Sequence, residues 1–287
     1  MTPSKLIISL ICFCIIFDNV GSYNILFLNG VGSKSHKGTM TPLSDALAAR
    51  NHTITVISGY KPSKDVPGVQ EHVVPELAQI FSEIVPVDAF EAQPSVINLL
   101  SRFADGGRKA CEILFNHPVI LNAMNQIDKY DAVMVSHFIT ECFPAIIHKI
   151  GAPHIDVSPA GLMPPVAHNL RIPYPTSSAP FMLPCGDNMD FIERLINTVI
   201  YNVVVVMRSL LMVPSAHSVS EKYLGKDIPD FNTLERNISL VLLNNHISFD
   251  FPRPYMPNVI EVGGLHCKSG KPLPKVGRSN CFVCSGM

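Results

Sequence analysis

The run Tyr23 to Asn29, YNILFLN, is followed by a Gly/Ser loop, by the stretch TMTPLSDALAARNH, and by a second apolar run, TITVISG. In the middle stretch Met40, Leu43, Leu47 and Ala48 recur at helical spacing, with Pro42 expected in the first turn, where its missing N–H costs little. Strand, loop, helix and strand in this order make a βαβ unit. Such a unit has a right-handed crossover and demands a parallel sheet with helices on both faces.

The pattern returns at KYDAVMVSHF, where Ala132 to Val135 predict a short buried strand, then the helical TECFPAIIHKIGAP and a strand at HIDVSP. Gly151 just past that helix and Pro153 beyond it form a stop signal. A later strand, NISLVLLNNH, leads through Pro252, Pro254 and Pro257 to VIEVGGLH, the expected last strand of a Rossmann-like, doubly wound α/β sheet. Between Pro62 and Asn116 the pattern is irregular, with helices expected in AFEAQPSVINLLSRFADGGRKACEILF that pack over the sheet or line a pocket. The stretch DFIERLINTVIYNVVVVMRSLLMVP is apolar from Ile196 to Met207, but Asn197, Tyr201, Asn202 and Arg208 interrupt it. An amphipathic helix covering a cavity or touching a membrane surface fits those interruptions better than a membrane span.

Lys5 ahead of the apolar run Leu6 to Phe17, with the small-residue exit Val20, Gly21, Ser22, reads as a secretory signal peptide over 1–22. Two N-x-S/T triplets make Asn51 and Asn237 candidate glycosylation sites. A formal net charge of -1 with 47% hydrophobic residues argues against a nucleic-acid surface. The six cysteines after the leader (Cys111, Cys142, Cys185, Cys267, Cys281, Cys284) show no regular spacing, and a chain this long needs no disulfide scaffold. The Rossmann-like domain is expected over 23–266 and a disordered tail over 267–287, where Cys281 and Cys284 form a lone C-x-x-C for which no metal site is expected.

In an open α/β sheet ligands bind at the carboxyl ends of the strands, so His36, in the loop after the first strand, and Glu141, after the strand Ala132 to Val135, both lie on the functional edge. Spacing alone leaves His36 as either a general base or a solvated loop residue, and Glu141 as either its orienting carboxylate or an ordinary residue of a first helical turn. Gly30, Gly32 and Ser33 could present N–H groups to a phosphate at a helix N-terminus, with Gly32 and Ser33 the candidate binding residues. Ser35 stands where a dinucleotide fingerprint needs its third glycine. His137 and His148 read as ordinary helix or loop residues.

The three stretches YNILFLNGVGSKSHKGTMTPLSDALAARNHTITVISG, KYDAVMVSHFITECFPAIIHKIGAPHIDVSPAG and NISLVLLNNHISFDFPRPYMPNVIEVGGLH resemble animal UDP-glycosyltransferases of the UDP-glucuronosyltransferase-like, invertebrate type. The resemblance runs in order from about Tyr23 to about Pro274. It implies the amino-terminal, acceptor-binding domain of a GT-B fold and inverting transfer of a hexosyl or glucuronosyl group from a UDP-sugar co-substrate to small lipophilic acceptors, without a bound cofactor. It also implies passage through the endoplasmic reticulum.

By the same resemblance His36 in SKSH matches the base, and Glu141 in ITEC stands for the acidic partner, usually Asp, with Ser136 as a competing alignment. The family's donor domain, with its HGG or HCG motif and membrane anchor, is expected after KPLPK, where this chain instead reads VGRSNCFVCSGM. The expectation is a truncated chain inactive by itself. Its alternative is a lipophile-binding or regulatory protein that pairs with a full-length relative.

Overall fold

The computed structural model describes residues 21–86, 96–126, 128–139, 141–267 and 270. Seven strands form one sheet: β1 (Asn24–Asn29), β2 (Thr53–Ser58), β3 (Val69–Val73), β4 (Ala132–Ser136), β5 (His154–Ser158), β6 (Ile238–Leu243) and β7 (Val259–Glu261). Their order is β3-β2-β1-β4-β5-β6-β7, and every neighbouring pair is parallel. This is the doubly wound arrangement that the two βαβ units imply. The expected signal peptide at 1–22 and the tail at 267–287 fall almost wholly outside the described residues.

Alternation along β1 divides the core. Leu26 and Leu28 point into the larger cluster with Leu114, Phe115, Phe143 and Ile146, whereas Ile25 and Phe27 pack with Met40, Ala48 and Val56 on the opposite face. Burial on both faces is why these strands are written as continuous apolar runs. The larger cluster is roofed by α2 (Pro75–Ile84), α3 (Val96–Asn116), α4 (Pro118–Asn125) and α5 (Phe143–Ile150). Gly151, at φ 80, closes α5 with its N–H on the Ile147 carbonyl, the left-handed stop that only glycine adopts without penalty.

The first helix corrects the sequence reading. Helix α1 spans Lys34–Ala48, so it begins well before Met40, and Pro42 lies inside it rather than in its first turn. Ser33 is the N-cap, its hydroxyl accepting the His36 N–H. Capping satisfies one of the orphan donors of a helix start, which lets a run as polar as Lys34 to Gly38 become helical.

After α6 (Pro164–Asn169) the apolar stretch forms α7 (Phe191–Met207), a π-helical turn (Arg208–Met212) and α8 (Val213–Leu224), with α9 (Phe231–Arg236) leading into β6. The Phe191–Leu224 stretch is long and apolar enough to cross a membrane by composition alone. Two of its polar residues are nonetheless committed to the protein interior. Asn197 is fully buried; its side chain accepts the Phe181 N–H and donates to the Thr176 and Ala179 carbonyls, tying the preceding loop to α7. Arg208 turns inward at the π turn.

Candidate active site

The sheet places β4 beside β1, with Leu28 opposite Val135, so the segments leaving both strands emerge together at the carboxyl edge. Strand order reverses there, at the crevice where such sheets bind ligands. His36 stands in the first turn of α1 instead of in a loop, and its ring packs edge-on against Phe138, with centroids 4.8 Å apart, and against Phe81 at 6.1 Å. Its Nδ1 is buried and meets no hydrogen-bond partner among the described residues. Burial lowers the imidazole pKa below its usual value, which favours the neutral ring that a proton acceptor needs. Gly32 gives that ring its room, since a Cβ there would lie 2.8 Å from Nδ1.

Next to Phe138 opens a cavity of about 370 Å³. Leu100 and Phe103 of α3, Phe138 and Ile139 after β4, Phe181, and Ile200 and Val204 of α7 give it apolar walls. Its size falls in the usual range for small-molecule sites. Its polar side is made by His137, Glu141 and Arg208.

Those three groups belong to a buried charge network. Arg208 is 7% exposed and donates through Nε to Glu141 Oε1 at 3.3 Å, and through its two terminal nitrogens to both oxygens of Glu235, which Asn169 also contacts. Burial alone would lower the guanidinium pKa, but Glu235 and Glu141 outweigh it and hold the group fully charged. The π turn supports this geometry by adding a residue to the helix and aiming Arg208 at the interior, a common use of such turns at functional sites. Beside it, His137 Nδ1 lies 2.8 Å from Asp156 Oδ2, a carboxylate projecting from the middle of β5 and 1% exposed. Burial disfavours the imidazolium, yet the Asp156 charge more than compensates and raises the His137 pKa.

The expected residues are therefore distributed as follows. His36 and the segment ending at Glu141 meet at one edge through Phe138, but no hydrogen bond joins His36 to Glu141, whose Oε1 is held by Arg208. Ser33 caps α1, and Gly32 makes space for the imidazole. Gly30 is a packing glycine, because a Cβ there would lie 2.7 Å from the Phe143 ring. Ser136 is buried at the end of β4. Asn51 and Asn237 are exposed. The C-x-x-C pair lies outside the described residues, among which no metal-ligating cluster occurs.

From the sequence, His137 reads as an ordinary residue and Arg208 only as an interruption of an apolar helix, while Asp156 and Glu235 do not stand out. The available signal was an acidic residue inside the apolar run HIDVS and an arginine ending an apolar helix, both costly to bury unless paired. Nor does the sequence single out the disulfide Cys111–Cys142, which ties α3 to the turn carrying Glu141.

Known proteins share sequence with this chain over most of its length. UDP-glucosyltransferase 2 of Dactylopius coccus is 29% identical over 272 residues, which cover 91% of this chain and 51% of that protein. UDP-glucuronosyltransferase 2A2 of Mus musculus is 27% identical over 267 residues, covering 84% and 49%. The chain thus spans about half the length of the curated relatives it matches. Among solved structures, a UDP-glucosyltransferase from Polygonum tinctorium aligns over 90% of this chain and 56% of its own, at 13% identity and a TM-score of 0.44. The calicheamicin glycosyltransferase CalG4 aligns over 85% and 52%, at 16% identity and a TM-score of 0.43. The model of the family described as UDP-glucoronosyl and UDP-glucosyl transferase matches residues 35–285, and the chain belongs to that family.

Proposed function

We propose that this chain provides the acceptor side of an inverting UDP-sugar transferase, with the cavity beside Phe138 holding a small lipophilic acceptor and His36 acting as general base. The observation that carries the reading is His36 itself, a half-buried imidazole whose pKa burial lowers, packed against the Phe138 wall of an apolar cavity on the ligand edge of the sheet. In the reaction His36 takes the hydroxyl proton, and the freed oxygen lone pair forms a bond to the sugar anomeric carbon. The bond from that carbon to the UDP oxygen breaks from the opposite face, its electron pair leaving with UDP. A glucosyl or glucuronosyl donor would be held by the region corresponding to the unmatched half of the relatives. The attacking and anomeric atoms must approach to about 3–3.5 Å, so both sides are needed for turnover. Glu141 serves in this scheme as the carboxylate of the cavity floor, held by Arg208.

The test is an assay of the purified chain with UDP-glucose or UDP-glucuronic acid and a panel of phenols, alone and with the donor half of a relative added. The expected result is phenol binding without turnover by the chain alone, and product formation on addition of the donor half that His36→Ala abolishes. Product formation unaffected by that substitution would overturn the assignment of the base. A second reading, a lipophile-binding or regulatory protein pairing with a full-length relative, is favoured by the described residues of this chain walling the cavity by themselves. It gains if the donor half yields no product while phenols still bind.

Entry into the secretory pathway and residence in the endoplasmic reticulum lumen belong to the same proposal, supported by the leader-like residues 1–22, the Cys111–Cys142 disulfide and the exposed Asn51 and Asn237. We extend it to contact with a membrane surface through the outer face of α7, where Phe191, Ile192, Leu195, Val199, Val203 and Val206 are all exposed.

A further inference from the structure

Two carboxylates converge on a single cation at the floor of the cavity. Arg208 gives both terminal nitrogens to Glu235 and only Nε to Glu141, whose Oε2 is buried with no hydrogen-bond partner among the described residues although Glu141 lines the cavity. Glu141 is 6% exposed, so bulk solvent screens little of its charge. His137, which also lines the cavity, pairs with Asp156 behind it, and that pair is at best self-neutralising. Three carboxylates therefore face at most two cations, and the walls above them are apolar.

An uncompensated negative charge beneath an apolar wall discriminates among ligands of equal size by their sign. Resting on the reading of the cavity as the acceptor site, we infer that it selects lipophilic amines in their protonated form over alcohols, and alcohols over carboxylates, with Glu141 as the residue that sets the order. An ammonium group in the cavity brings a positive charge beside the Glu141 carboxylate and restores charge balance. A hydroxyl brings no charge. A carboxylate adds a second negative charge beside the buried Glu141.

Three probes of nearly one shape test this on the purified chain by calorimetry at neutral pH: 1-naphthylmethylamine, 1-naphthalenemethanol and 1-naphthoic acid. The amine is expected to bind on the order of 100-fold more tightly than the acid, since the two differ by two units of charge and each is worth roughly tenfold several ångströms away at an intermediate dielectric. In Glu141→Gln, which keeps the shape and removes the charge, the ratio of amine to alcohol affinity is expected to fall roughly tenfold. Equal binding of the three, or preference for the acid, overturns this inference and leaves the acceptor-site reading standing. Failure of all three to bind overturns both. The ranking on the unsubstituted chain needs no variant, so misfolding of Glu141→Gln would not shelter the idea. An unchanged ratio in a folded Glu141→Gln would refute the role of that residue.

Discussion

His36 and His137 follow neighbouring strands of one sheet, His36 packing on the Phe138 wall of the cavity that His137 lines, yet their protons are governed in opposite directions. His36 sits among aromatic rings with no charge to favour its imidazolium, and burial lowers its pKa. Burial acts against the His137 imidazolium too, but the Asp156 carboxylate at 2.8 Å outweighs it and raises its pKa. Residue type is shared and burial disfavours the charged form of both; the nearest partner decides. One corner is suited to accept a proton and the other to keep one.

The most severe way to break this contrast is to remove the cation beside the charged corner. Arg208→Ala strands Glu141 and Glu235 without a counter-ion and is expected to cost about 3–5 kcal/mol of unfolding free energy in urea, while the surroundings of His36 keep their packing. A loss under about 1 kcal/mol would mean that the carboxylates find other partners.

Asp156→Asn sharpens the contrast by giving His137 a neutral neighbour. A raised folded pKa contributes stability that is fully present below the unfolded value of 6.5 and is lost as pH rises through the folded value. The substitution is therefore expected to cost about 1–3 kcal/mol below pH 6 and progressively less at higher pH, with the His137 ring titrating at a lower pH by NMR. His36 carries the opposite sign. Its folded pKa lies below the unfolded one, so its neutral burial favours the fold above the unfolded pKa, and that contribution disappears as pH falls through the folded pKa. A His36 resonance titrating above that of His137 would dissolve the comparison altogether.

Gly32→Ala is the mildest to the fold. Its Cβ would displace the His36 ring from a 2.8 Å approach, so turnover in the reconstituted assay is expected to fall by up to about 100-fold, as for a misplacement near 1 Å, with the unfolding midpoint almost unchanged. Unaltered turnover would show that the ring has freedom to move aside.

The central sheet was readable because parallel strands covered on both faces spell themselves as apolar runs, as at Ile25 to Leu28 and Leu240 to Leu243. Strand β3 was not. It lies at the sheet edge, half-buried, and its VQEHV carries polar residues because one side meets solvent. The start of α1 was hidden by the polarity of KSHKG, which resembles a loop until Ser33 is recognised as its cap. His36 could be placed on the ligand edge from strand order alone, whereas its aromatic neighbours come from separate elements. The Arg208–Glu141 pair joins residues 67 positions apart, and the Cys111–Cys142 bond spans 31. Contacts at such separations are set by how helices lie across the sheet, which no local periodicity records.

The π turn at Arg208–Met212 also has a genetic meaning. Such a turn is an α-helix carrying one residue too many, with the Val213 N–H reaching back five positions to the Arg208 carbonyl. Loss of a single codon between Ser209 and Met212 would let the helix close into regular α form and rotate one flank by about 100° against the other. The shorter helix would be better hydrogen-bonded along its length, yet Arg208 and Met212 would no longer share the cavity wall. Descendants of this chain could thus lose the counter-ion of Glu141 and Glu235 by a deletion that improves the hydrogen bonding of the helix itself.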